Sequence, residues 1–177
     1  MKFEIIHQEM IYRGHAFNVR RDEVRTPNQR SMHLDIIEHV WAVTILPIDE
    51  EGRILFVRQY RHPAGMELLE LPAGTVKDGE TPEVCALREI REETGFAAGK
   101  LTKLGEFFLA PGYSTEYMVV YLASELKFGP LPGDPDEFIT LQPISIEQAY
   151  SMARDGKVID GKSLAGLFLA QPYIFKS

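Results

Sequence analysis

Three carboxylates crowd the stretch Arg88-Glu89-Ile90-Arg91-Glu92-Glu93. On a helix, at about 100° per residue, Glu89, Glu92 and Glu93 fall within an arc of roughly 100°. Glu89 then meets both Glu92 and Glu93 at the spacings where helix side chains touch, and like charges so placed repel unless a cation neutralises them. Carboxylate oxygens are hard donors, so the cation expected is Mg²⁺, with Mn²⁺ as a substitute; both bind a few carboxylates together with waters and phosphate oxygens. Arg88 can grip a carboxylate through two parallel hydrogen bonds and orient the set. An acidic helix face is more often simply solvated, so the flanking residues decide what this one means.

The helix that must carry these groups has clear ends. Thr81 is an N-cap residue, Pro82 suits the first helical position and Glu83 complements the positive end of the dipole. Gly95 can take the left-handed conformation that stops a helix. The spacing therefore predicts a helix over 82–94, with Val84, Leu87, Ile90 and Thr94 together on the side away from the carboxylates.

Further out, residues 2–8 and 15–25 read as short strands, and Ser31–His39 alternates like a half-buried one. Trp41–Pro47 is a more apolar strand whose Trp41 is expected in the core. Glu50-Glu51-Gly52 turns the chain into Arg53–Arg58, a hairpin partner, and Glu67–Leu71 leads into a glycine-bearing loop. Beyond the helix come strands at Leu101–Leu109 and Glu116–Leu122, the Pro/Gly/Asp-rich loop Phe128–Asp136 and a last strand near Phe138–Pro143. Two helices follow. One has Ser145 as N-cap with Gln148 three residues on and Gly156 at its end; the other runs from about Ser163 with Leu164, Leu167 and Phe168 on one face. This order predicts a mixed sheet flanked by helices in a single domain (1–177), with N-terminal antiparallel strands over 1–40 and a core over 41–177.

A net charge of −7 with no basic stripe argues against nucleic acid as a partner, since even Arg20–Arg30 is interrupted by Asp22 and Glu23. The N-terminus lacks the apolar run of a signal peptide and no segment has the length of a membrane span, so no membrane partner is expected. One cysteine, Cys85, excludes an internal disulfide framework and a multi-cysteine zinc site. The cytoplasm is the expected compartment. His7, His15, His33, His39 and His62 show no metal-ligand spacing.

The segment from Gly74 to Phe96 resembles the Nudix box, G-x5-E-x7-R-E-U-x-E-E-x-G-U, where U is a bulky apolar residue. Gly74, Glu80, Arg88, Glu89, Glu92, Glu93 and Gly95 fill every fixed position, with Ile90 and Phe96 at the apolar ones. At residue frequencies of about one in fifteen, chance would yield this in fewer than one chain in roughly a million. The resemblance implies a Nudix α/β/α sandwich and a metal-dependent hydrolase that cleaves the diphosphate bridge of a nucleoside diphosphate derivative by attack of water on phosphorus. It makes Glu89, Glu92 and Glu93 metal ligands, completed by the Ala73 carbonyl, and gives Glu80 and Arg88 the ordering of the loop and helix.

Three features resemble the ADP-ribose pyrophosphatase branch of that family. Pro111 lies sixteen positions beyond Gly95 in Ala110-Pro-Gly-Tyr-Ser-Thr-Glu116, which implies that Glu116 contacts the terminal ribose. Val57-Arg58-Gln-Tyr-Arg61 implies that Arg61, and Arg58 after it, clasps the diphosphate. Gly133-Asp-Pro-Asp-Glu137 resembles an acidic loop bearing a metal ligand or general base, with Glu137 aligning best and Asp134 and Asp136 as rivals; a box glutamate is a further candidate for the base. The N-terminal strands resemble a segment exchanged across a homodimer, which implies that Phe17 stacks on the base. The reading is ADP-ribose hydrolysis to AMP and ribose 5-phosphate, with Glu92, Glu93, Glu137 and Arg88 as the catalytic set. GDP-mannose or another nucleotide sugar is the alternative substrate, and a non-catalytic ADP-ribose sensor is the alternative class.

Overall fold

The computed structural model describes residues 2–175. In chain order these form β1 (Glu4–Arg13), β2 (Asn18–Arg25), β3 (Ser31–Glu38), β4 (Ala42–Pro47), β5 (Arg53–Arg61), β6 (Met66–Glu70) and β7 (Ala73–Thr75). Then follow α1 (Pro82–Thr94), β8 (Phe96–Phe108), β9 (Tyr117–Phe128), β10 (Ile139–Ser145), α2 (Ile146–Arg154) and α3 (Gly161–Ile174). The contacts divide the chain into two units. One gathers the residues up to Trp41 with Phe107–Tyr117; the other gathers Ala42–Glu106 with the chain from Met118 onward.

The first unit is built on an antiparallel β1-β2-β3 sheet, paired from Glu4↔Arg25 to Arg13↔Asn18 and from Asn18↔Glu38 to Arg25↔Ser31. Its one buried charge, among the described residues, is Asp22, which accepts two hydrogen bonds from Arg20 (2.7 and 3.1 Å) and one from Gln8 (3.1 Å). β1 is exposed along its whole length, including Ile5, Ile6, Met10, Ile11 and Tyr12. Trp41 is not a core residue as expected: it is 52% exposed and leans on Tyr117 with ring centroids 5.0 Å apart. It lies one residue before β4, and continuous burial begins only at Ala42.

In the second unit, β4 is buried at every position because both of its faces are covered. It pairs with β9 in parallel (Ala42↔Met118 to Pro47↔Ala123) and with β7 antiparallel (Ala42↔Thr75 to Thr44↔Ala73) in the order β7-β4-β9-β8. A second sheet runs β10-β5-β6, antiparallel throughout. Alternation along the strands sends residues to two cores. Val43, Ile45 and Leu55 join Cys85, Ala86 and Ile90 of α1, while Leu46, Ile54 and Phe56 join Ala149 and Tyr150 of α2 and Leu167 and Ala170 of α3. Helices thus cover sheet from both sides, the α/β/α sandwich of mixed pairing.

Two helix faces differ from those the period suggested. α1 docks through Cys85, Ala86 and Ile90, leaving Val84 52% exposed and Leu87 at the surface. α3 buries Ser163, Gly166, Leu167 and Ala170, leaving Leu164 and Phe168 outside. The reason is close approach: a Cβ on Gly166 would stand 2.6 Å from Leu71 Cδ1, so small residues rather than large ones mark the contact line. α3 also starts earlier than expected, at Gly161, because Asp160 is its N-cap and accepts from the Ser163 amide at 3.0 Å. Other shifts are of boundary: β8 starts directly after Gly95, and the three-residue β7 had no periodic signal of its own.

Candidate active site

β4 fixes β7, and β7 sets the backbone against which α1 lays its carboxylates. A Cβ on Gly74 would lie 2.0 Å from both Cδ and Oε1 of Glu89, so only glycine lets this side chain rest on the strand. The chain then turns at Gly79, which has φ 80°, before Thr81 caps α1 by accepting from the Val84 amide at 3.3 Å. Gly95 ends the helix at φ 79°, its amide donating to the Arg91 carbonyl.

Arg88 ties loop and helix together. Its Nε and Nη2 donate to Glu80 Oε1 (2.7 Å) and Oε2 (3.0 Å), and Nη1 reaches Glu89 Oε1 (2.6 Å) and Glu92 Oε2 (2.9 Å). Nη2 also donates to the Thr75 carbonyl at 3.3 Å, and Glu80 accepts from the Lys77 amide at 3.0 Å. The Arg88 hydrogen bonds hold the Glu80 carboxyl down at about 2, and Glu80 in turn raises Arg88. This pair is fully ionised at any working pH, a rigid brace rather than a proton store.

The carboxylates further along α1 behave oppositely. Burial pushes Glu89 up to about 7, overcoming Arg88, with the charges of Glu92 and Glu137 adding to the rise. Burial also lifts Glu93 well above the usual carboxylate range, aided by Glu89 and Glu137, while the Ala73 backbone amide and Lys162 pull the other way. Glu137 is itself raised, by desolvation first and then by Asp134. It sits in a turn where its amide donates to the Asp134 carbonyl (3.0 Å) and Asp134 Oδ1 accepts from the Asp136 amide (3.0 Å).

Charge of one sign, desolvated and close enough to perturb each member, is a donor set that a hard cation would relieve. Among the described residues no three of His, Cys, Asp or Glu enclose a metal position unaided. By the chemistry of their oxygens, Glu89, Glu92 and Glu93, with the Ala73 carbonyl and Glu137, are the groups that would hold such an ion.

Arg61 lies at the end of β5 and donates to Glu70 through Nε and Nη2, each at 2.7 Å. Glu93 is near enough for its charge to support the Arg61 cation. Arg58 is half-buried on the same strand, opposite Leu69 and Thr140. Glu70 and Lys162 were not among the expected site residues. Their sequence signal is a charge in the apolar run Leu68-Leu69-Glu70-Leu71 and a lysine two residues after an N-cap aspartate.

Phe17, Pro111 and Glu116 belong to the other unit. Phe17 is 41% exposed just before β2. Pro111 is exposed in a turn where the amides of Tyr113 and Ser114 donate to the Ala110 carbonyl at 3.1 and 2.9 Å. Glu116 is half-buried, with its amide donating to Ser114 Oγ at 3.1 Å.

Comparison with known proteins adds three findings. The family profile described as the NUDIX domain matches residues 38–167. The chain is 36% identical over 160 residues to an ADP-ribose pyrophosphatase of Bacillus subtilis (strain 168), covering 89% of this chain and 86% of that one. It is 31% identical over 195 aligned positions to a GDP-mannose pyrophosphatase of Yersinia pestis (strain Pestoides F), covering 100% and 96%. A solved structure titled as that of an ADP compounds hydrolase superposes with a TM-score of 0.89 at 24% identity, covering 98% of this chain and 95% of that one, which shows the shared fold.

Proposed function

We propose, from the premise that this chain belongs to the Nudix hydrolase family, that it hydrolyses the diphosphate bridge of ADP-ribose to give AMP and ribose 5-phosphate with Mg²⁺. The family as a whole generally needs divalent metal ions. The observation that carries the reading is the way Arg88 gathers Glu80, Glu89 and Glu92 at α1, in a chain 36% identical to an ADP-ribose pyrophosphatase. Likeness to pyrophosphatases favours an enzyme over a sensor that only binds.

Glu89, Glu92, Glu93 and the Ala73 carbonyl would hold a divalent cation, which would supply neutralisation of the charge that builds on phosphate oxygens during hydrolysis. Arg61 binds the diphosphate, with Arg58 beside it. Removal of the proton from the attacking water falls to Glu93 or Glu137, both held above their ordinary carboxylate value chiefly by burial. Arg88 keeps Glu89 and Glu92 oriented. Glu116, Pro111 and Phe17 serve the terminal ribose and the base.

The exposed apolar residues of β1 support a homodimer. The single, buried cysteine is consistent with a cytoplasmic setting, and no helix among the described residues is long and apolar enough to cross a membrane. Likeness to a GDP-mannose pyrophosphatase supports a second substrate class with the same chemistry. The test is turnover of ADP-ribose, GDP-mannose, ADP-glucose and diadenosine polyphosphates in Mg²⁺ and in ¹⁸O water. ADP-ribose should be preferred, with label in one monophosphate product. Preference for GDP-mannose would move the assignment within the family, and tight binding with no turnover would overturn the enzyme reading.

A further inference from the structure

Glu70 is 1% exposed at the end of β6, and a buried carboxylate persists only if it is paired. It has two cations. Arg61 meets it side-on through Nε and Nη2 (both 2.7 Å), and Lys162 Nζ contacts its Oε2 from the start of α3. Lys162 is also held by Asp160 Oδ2 at 3.0 Å. Two positive and two negative groups thus balance. The cations differ in access: the Arg61 side chain is 41% exposed and that of Lys162 only 11%. Lys162 is therefore the fixed partner and Arg61 the one that faces outward.

The arrangement is anchored. Asp160 also accepts from the amide and the hydroxyl of Ser163, and Ser163 Oγ accepts from the Leu71 amide at 2.7 Å, the residue after Glu70. Side-on pairing uses one edge of the guanidinium and leaves Nη1 outside the pair, the geometry in which arginine offers its remaining donors to a phosphate. Without Glu70 the long side chain would have to be ordered by the ligand itself, at a cost in binding.

We propose that Glu70 and Lys162 are positioning residues for diphosphate recognition: Lys162 locks Glu70, and Glu70 holds Arg61 with its Nη1 edge ready for a phosphate oxygen. This rests on the reading that the site binds a nucleoside diphosphate derivative. It extends the site to the first turn of α3.

The test is a double-mutant cycle read by calorimetry with the non-hydrolysable α,β-methylene analogue of ADP-ribose, and by KM and kcat with ADP-ribose. Glu70→Gln should weaken analogue binding about tenfold and raise KM to match, with kcat changed less than about threefold. In an Arg61→Ala background the same change should alter binding by less than about twofold, because the group it positions is gone. Lys162→Met should follow Glu70→Gln, and Lys162→Arg should restore much of the binding. Lys162→Met also replaces Glu70→Gln in the cycle if the latter does not fold. Penalties that multiply instead of overlapping, or folded Glu70→Gln and Lys162→Met proteins that bind as wild type, would overturn the positioning role. A wild-type protein that neither binds the analogue nor cleaves any nucleoside diphosphate derivative would instead overturn the proposed function.

Discussion

The raised carboxyl of Glu89 makes stability a reporter of the site in the absence of metal. Its pKa moves from 4.5 to about 7 on folding, chiefly through burial, and the residue is only 7% exposed. A folded-state value above the unfolded one means that the stability present below pH 4.5 is lost as pH rises through 7. The loss amounts to roughly 3 kcal/mol, at about 1.4 kcal/mol for each tenfold change in proton affinity. Glu89→Gln cannot ionise and lacks this slope. In EDTA, the stability of the wild type relative to Glu89→Gln should therefore fall by that amount between pH 4.5 and 7.5, a relative Tm change of roughly 6–12 °C for a chain of this size. Millimolar Mg²⁺ should recover most of it at pH 7.5 and little at pH 5, since the cation favours the ionised form. A Tm difference that stays flat or grows with pH, or an equal Mg²⁺ effect at both pH values, would refute the placement of a desolvated carboxylate here.

Three further outcomes follow from particular contacts. Gly74→Ala places a methyl 2.0 Å from the Glu89 carboxyl, so it should cost about 1–3 kcal/mol in urea unfolding and lower kcat/KM more than about tenfold; unchanged kinetics would contradict the close approach. Ser163→Ala leaves the Leu71 amide without its hydroxyl acceptor and should destabilise the protein by about 1–3 kcal/mol, measurable as a shift in urea midpoint. The Cys85 thiol, buried and pushed up to about 12, should resist a disulfide reagent at pH 8 until urea unfolds the chain; rapid labelling of the native protein would show that α1 is not packed as described.

The sequence was most legible where chemistry needs fixed spacing. Thr81, Pro82 and Gly95 marked α1 to the residue, because caps depend on local backbone demands that a sequence states directly. The strands from Ser31 to Leu71 were also readable by alternation and turn residues, since β4 and β5 have to be apolar to lie between two cores. Which side of a helix packs was less legible. Val84, Leu87, Leu164 and Phe168 are more apolar than Cys85, Ala86, Ser163 and Gly166, yet the small residues face the sheet because close approach requires them. The same limit hid Glu70 and Lys162, whose meaning comes from a contact across 92 positions of chain that no local pattern encodes. Trp41 lies outside the core for a related reason: burial depends on where the covering layers begin, and continuous burial begins at Ala42.

The most direct test of the whole account is the turnover of ADP-ribose by Glu93→Gln at saturating Mg²⁺, with circular dichroism and melting confirming that the variant is folded. If the α1 carboxylates hold a divalent cation against the diphosphate, kcat should drop by at least two orders of magnitude, with AMP and ribose 5-phosphate remaining the products of the residual reaction. A folded Glu93→Gln protein that turns over near the wild-type rate would contradict it.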